Sequence, residues 1–180
     1  MADNETVIYY DEIAKGYNNL HKKEQINKFK EIKSRISIKK EMKLLDVGCG
    51  TCLSFDFFNC DVYGIEPSAK MVEQHINHHE WIMLKKLFVA PAEEISSKFN
   101  KMLFDIIICV TVAHHFTNIK KVFEGIKEVS KPESQIIFSI LNRTSSKNTL
   151  KKYISDNFLI KEEIDEGKDM ILFCRPLPRA

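Results

Sequence analysis

Glycine and carboxylate chemistry is concentrated in two short stretches, KLLDVGCGTCL at residues 43–53 and VYGIEP at 62–67. In the first, an apolar run carries Asp46 and ends in a Gly48-Cys49-Gly50 turn, where the lack of side chains lets backbone approach a ligand closely. In the second, Glu66 closes the next apolar run, where a carboxylate can accept both hydroxyls of an adenosine ribose. A dinucleotide fingerprint would need a third glycine where Leu53 stands, which counts against NAD or FAD. No Gly-Lys-Ser/Thr follows the turn, so it is not a P-loop.

Other reactive side chains are more ambiguous. Cys49 and Cys52 have C-x-x-C spacing, but no second such pair or matching histidine pair completes a four-ligand metal site, so no metal is expected. His75, His78 and His79 share one helical face, which a polar exposed surface explains as well as a ligand cluster. His114 and His115 follow the most apolar run of the chain, and imidazole titrates near neutral pH, so either could act as a general base or line a pocket wall. Tyr10, Tyr17, Asn142 and Arg143 are further candidates for the rim of a substrate site.

These residues must be positioned by an alternation of strands and helices. Apolar residues at helical spacing over 6–36 predict two helical segments, with Gly16 as the weak point between them. Strands are expected at 43–47, 62–66, 87–90, 104–112 and 135–141, and helices at 52–58, 69–78, 118–129 and 149–157. A brief helix or turn fits 93–101, Ser68 suits an N-cap, and Pro132 ends the 118–129 helix. Residues 159–164 and 170–174 flank Asp165-Glu166-Gly167-Lys168 as a hairpin. Five β/α units and a hairpin predict an α/β three-layer sandwich around a mainly parallel sheet, in a single domain over 1–180. Residues 1–42 form its leading helical segment and 43–180 its core.

Composition sets broad limits. A chain of 180 residues with 44% hydrophobic and 29% charged residues is that of an ordinary globular protein. The net charge of +2 is far from that of a dedicated nucleic-acid binder. Five cysteines, an odd number lying partly inside expected strands, argue against a secreted disulfide framework and for a reducing, cytoplasmic setting. The longest apolar run is too short to span a bilayer, and the N-terminus has no basic region or cleavage site, so no membrane association is expected.

The residues resemble one family, the class I S-adenosylmethionine-dependent methyltransferases. The resemblance is carried in order by LLDVGCGT (44–51), YGIEPSAKMV (63–72), VAPAEEI (89–95), FDIIICVTVAHHF (104–116) and IKEVSKPESQIIFSI (126–140), with YYDEIAKGY looking like the family's first helix. It implies a Rossmann-like, mainly parallel seven-stranded sheet with an antiparallel C-terminal hairpin strand. It also implies S-adenosyl-L-methionine as cofactor, with S-adenosyl-L-homocysteine as product. Asp46, Gly48, Cys49 and Gly50 would line the methionine end, Glu66 would hold the ribose diol, and Pro67 and Met71 would pack on adenine. Ala92 and Glu93 would address the adenine edge, and Cys109 or Val110 would sit under the sulfonium. Cys52 replaces the usual third glycine of the loop, so its side chain must point away or narrow the site. Pro91 stands where an acidic residue often binds the adenine amino group.

No Asn/Asp-Pro-Pro-Tyr/Phe follows the fourth strand, which argues against amino-methylating enzymes of DNA bases and glutamine side chains. The expected partner is a small-molecule acceptor. A tRNA wobble uridine, or a non-catalytic scaffold that binds the cofactor, stays open, as does a monomer or a homodimer.

Overall fold

The computed structural model of the chain describes residues 4–76 and 86–178. The first element, α1 (Asn4–Arg35), is one continuous helix rather than two. Gly16 has open space around it and costs the helix about 1 kcal/mol relative to alanine. Burial of Ala14, Phe29 and Ile32 along the same helix outweighs that penalty. The chain then alternates through β1 (Lys43–Val47), α2 (Leu53–Phe57), β2 (Asp61–Glu66), α3 (Ala69–Ile76), β3 (Leu87–Val89), α4 (Ile95–Lys98) and β4 (Phe104–Val110). It continues with α5 (Ile119–Glu128), β5 (Ser130–Leu141), α6 (Lys147–Asn157), β6 (Phe158–Asp165) and β7 (Asp169–Pro176). His78 and His79 lie outside the described residues; His75 is buried rather than exposed, with its ring 5.8 Å from that of Phe55.

The seven strands form one sheet in the order β3-β2-β1-β4-β5-β7-β6. β1 to β5 run parallel, and β7 returns antiparallel between β5 and β6. Strands covered on both faces need apolar residues in both alternation sets. Leu45, Val47, Ile107 and Phe138 therefore pack with Phe123 and Ile126 of α5 and Ile154 of α6, while Leu44, Ile106 and Ile108 pack with Phe29 and Ile32 of α1 on the other side. This gives the three layers, and each fully buried Ile or Leu contributes roughly 1.5–3 kcal/mol. Among the described residues no helix is long and apolar enough to cross a membrane.

Two caps follow the sequence closely. Ser68 Oγ accepts from Met71 N (3.1 Å) at the start of α3, and Asn118 Oδ1 accepts from Lys121 N (3.1 Å) at the start of α5. Pro132, by contrast, does not end α5. The helix ends at Glu128 with Val129 as its C-cap, and β5 begins at Ser130; Phe104 pairs with Ser130 and Ile106 with Gln135, so residues 131–134 bulge from the ladder. A bulge is where a strand tolerates a residue that cannot donate a hydrogen bond.

Candidate functional site

Adjacent parallel strands bring their C-terminal ends side by side, which places the turn after β1, the carboxylate ending β2 and the turn after β4 around one crevice. Gly48 N and Cys49 N donate to Ile65 O (2.8 and 3.3 Å), so the glycine turn hangs directly from the end of β2. Gly48 (φ +74°) and Gly50 (φ +54°) both occupy the left-handed region. A Cβ on Gly48 would lie 2.4 Å from Val112 Cγ2, so backbone and the β4 turn meet there with no room for a side chain.

Glu66 ties the loops together. Its Oε2 accepts from Gly50 N (3.0 Å) and its Oε1 from Ser68 N (2.9 Å). Burial pushes its carboxyl up to about 7, against the pull of those two N–H groups. Burial likewise pushes Asp46 up to about 7, with Glu66 adding to it. An ionised carboxylate has about four lone-pair sites. Two of them on Glu66 are used by backbone, leaving acceptors for a pair of hydroxyls.

α1 covers this crevice through three side-chain contacts to three different loops. Tyr10 OH and His115 Nε2 are 3.1 Å apart, Ser68 Oγ donates to Asp11 Oδ1 (2.5 Å), and Thr51 Oγ1 donates to Asn18 Oδ1 (2.6 Å). Tyr10, Tyr17, Gly48, Gly50, Glu66, Pro67, Met71, Val110 and His115 border one cavity of about 70 Å³. Asp46 and Cys49 border an adjoining one of about 40 Å³ that shares Tyr17, Gly48, Gly50 and Val110. Both cavities are smaller than the roughly 300–1,000 Å³ of most small-molecule pockets, and α1 lies along one side of them. The donors and acceptors around them suit a nucleoside: the Glu66 carboxylate and the backbone of the glycine turn. A larger cavity of about 830 Å³, between the end of α5 and Pro176–Pro178, lies at the opposite end of the strands and mixes Lys127 and Lys131 with Glu128 and Glu133.

Several expected site residues are placed elsewhere. Cys109 is fully buried in the core under α5, so of the two candidates at the end of β4 only Val110 faces the cavity. Ala92 and Glu93 lie outside it; Glu93 Oε1 accepts from Asn118 N (2.9 Å) and fixes the approach to α5. His114 does not line it either, and its ring lies against His115 with centroids 3.9 Å apart. Asn142 donates to Asp165 Oδ1 (2.8 Å) and Gly167 O (3.0 Å) in the β6–β7 turn, and the neighbouring Arg143 is exposed. Cys52 is fully buried, in left-handed backbone (φ 59°), with its Sγ 3.8 Å from that of Cys49. The backbone shape that suits a glycine is thus kept without the glycine, and the thiol points away from the ligand space.

Thr6, Val7, Thr111 and Val112 also border the cavity and were not expected from sequence. Thr111 and Val112 lie between two expected site residues, Val110 and His114, so their position along the chain could have suggested them.

Burial disfavours the protonated form of the histidine at the wall. Burial, and then the neighbouring His114, pull His115 down to about 4, and burial also lowers His114. Burial raises Tyr10 to about 12, with Glu66 adding to it.

A glycine turn after β1, a carboxylate ending β2 and a seven-stranded sheet closed by an antiparallel β7 define the architecture of the S-adenosylmethionine-dependent methyltransferases. The comparison with known families agrees: a profile described as a methyltransferase domain matches residues 38–171, and the chain belongs to that family. Among curated relatives, a thiol S-methyltransferase (TMT1B) of Rattus norvegicus is 24% identical over 130 residues, covering 69% of this chain and 52% of that protein. A ubiquinone biosynthesis O-methyltransferase of Rickettsia prowazekii is 31% identical over 120 residues, covering 63% and 46%. The chain spans about half the length of the curated relatives it matches. Among solved structures, a SAM-dependent methyltransferase from Aquifex aeolicus superposes with a TM-score of 0.66 at 17% identity, over 82% of this chain and 89% of that one.

Proposed function

We propose that the protein, as one domain in the cytoplasm, moves the methyl group of S-adenosylmethionine to a small-molecule acceptor, either as a monomer or as a homodimer. The observation that carries this reading is the meeting of the Gly48–Gly50 turn and the Glu66 carboxylate at neighbouring strand ends. When bound, the cofactor supplies an electrophilic methyl group on a sulfonium. Glu66 holds the ribose hydroxyls with its remaining lone pairs, and Pro67 and Met71 pack on the base. Asp46 and the Gly48–Gly50 backbone face the amino-acid end, and Val110 forms the floor under the reacting carbon. Displacement at a sulfonium needs donor and acceptor held in line, and that alignment supplies much of the acceleration.

The wall residues favour an acceptor that becomes nucleophilic without help. Val7, Thr6, Tyr10, Thr111, Val112 and His115 are uncharged, and among the described residues neither Lys nor Arg borders the cavity, which favours a small molecule over a tRNA phosphate backbone. His115 is a weak base with Nε2 engaged by Tyr10, so a thiol, part of which ionises by itself near neutral pH, suits the site better than a hydroxyl. The test is transfer of labelled methyl from S-adenosylmethionine to a panel of small thiols, phenols and alcohols, and to bulk tRNA. Label is expected in the thiols, and His115→Phe is expected to keep that transfer within about tenfold of wild type. Label confined to tRNA overturns the substrate reading. A loss of about a hundredfold or more in His115→Phe makes the histidine a general base.

A further inference from the structure

Thr111, the residue immediately after β4, has φ +58°. A β-branched side chain in left-handed backbone is a strained arrangement that persists only where its surroundings impose it, and such residues gather at functional sites. The surroundings here are unusually complete. Thr111 N donates to Ser139 Oγ (2.8 Å), and its Oγ1 contacts Lys28 Nζ (2.9 Å), Asp169 Oδ2 (2.9 Å) and Ser139 Oγ (3.2 Å).

The groups that hold it are themselves buried charges. Lys28 and Asp169 are both fully shielded from solvent, with Lys28 Nζ 3.1 Å from Asp169 Oδ1 in an ion contact, and Ser139 Oγ donates to Asp169 Oδ2 (2.6 Å). Lys28 Nζ also donates to Glu24 Oε1 (2.9 Å), whose other oxygen accepts from Lys168 Nζ (2.6 Å). Two cations and two carboxylates thus balance, and the cluster joins α1, β5 and the start of β7 to one turn. A buried ion pair adds little net stability over an apolar replacement of the same volume, so its presence beside the cavity calls for another reason. That reason lies one residue further on, since Thr111 and Val112 border the cavity and Val112 packs directly on Gly48.

We infer that Lys28, Ser139 and Asp169 are positioning residues: together they force the left-handed turn at Thr111 and so set the Val110–Val112 wall against the glycine turn where the methyl group is transferred. None of the three touches the ligand space; they act through Thr111. The inference rests on the reading of this crevice as the cofactor site.

The test uses the full chain and S-adenosylhomocysteine as probe, with wild-type binding measured first so that failure of the cofactor reading shows separately. Asp169→Asn removes the charge at nearly constant shape, and Ser139→Ala removes the acceptor of Thr111 N while leaving Lys28 and Asp169 paired. Each is expected to weaken binding by about tenfold while the protein stays folded by circular dichroism. Adding Thr111→Gly to either one is expected to recover affinity to within about threefold of wild type, because glycine takes the left-handed turn without being forced. If Asp169→Asn does not fold, Ser139→Ala decides. The inference is overturned if the folded variants bind within about twofold of wild type while their melting temperatures fall, or if Thr111→Gly recovers nothing, because the cluster then serves stability alone.

Discussion

Replacing Glu66 by alanine is expected to weaken S-adenosylhomocysteine binding by about a hundredfold or more. Two charge-assisted hydrogen bonds to ribose hydroxyls are lost, each worth about 1.5–3 kcal/mol, and about 1.4 kcal/mol corresponds to a factor of ten. The same change frees Gly50 N and Ser68 N from their 3.0 and 2.9 Å acceptors, so the turn that faces the ligand also loses its anchor. Glu66→Gln separates the two effects, since the amide oxygen can keep one backbone contact while the charge is gone. Affinity is also expected to depend on pH in a definite direction. In the free protein burial holds the Glu66 carboxyl up at about 7, and the ligand's hydroxyls favour the ionised form. Binding therefore strengthens as pH rises through 7 and weakens below it, by up to about tenfold per pH unit. Asp46, pushed up to about 7 by its own burial, acts in the same direction. Calorimetry between pH 6 and 8 is expected to show this slope in wild type and a flatter one in Glu66→Gln; equal slopes in the two proteins remove Glu66 from the ribose contact.

Gly48→Ala carries the other large effect. Its Cβ would stand 2.4 Å from Val112 Cγ2, and the residue sits at φ +74°. The left-handed backbone costs a non-glycine residue about 1–2 kcal/mol, and overpacking of this kind typically about 1–3 kcal/mol more. A loss of about 2–5 kcal/mol in urea unfolding is expected, with binding of S-adenosylhomocysteine falling below detection. Adding Val112→Ala relieves the contact but not the backbone strain, so it is expected to restore stability in part. Gly50→Ala is milder, because its Cβ would meet only the flexible end of Met71 at 3.3 Å. A Gly48→Ala protein that matches wild type in both stability and binding rules out close backbone approach at this turn.

Much of this was readable from the chain because the signals are local. The bounds of β1 and the cap at Ser68 follow from apolar runs, turn glycines and hydroxyl chemistry within a few residues. The pairing of the Gly48–Gly50 turn with Glu66 follows from two adjacent strands and the side on which parallel sheets open. What was not readable depends on partners distant in sequence. Periodicity cannot separate Cys109 from Val110, because β4 is covered on both faces and either residue suits an apolar strand. Gly16 looked like a break, yet burial of side chains further along α1 keeps the helix whole. The bond from Asn118 N to Glu93 Oε1, across 25 positions, could not be read from the chain either. Lys28 resembles any other helix lysine in the sequence; only the fold brings it to Asp169 and Thr111.

Tyr10, Asp11 and Asn18 of α1 each reach a different loop of the crevice, at His115, Ser68 and Thr51. Titration of the wild-type protein with S-adenosylhomocysteine in a calorimeter tests the central claim most directly. One site per chain with a Kd of about 100 μM or tighter is predicted. No heat of binding up to about 1 mM ligand contradicts the assignment of the crevice as a cofactor site.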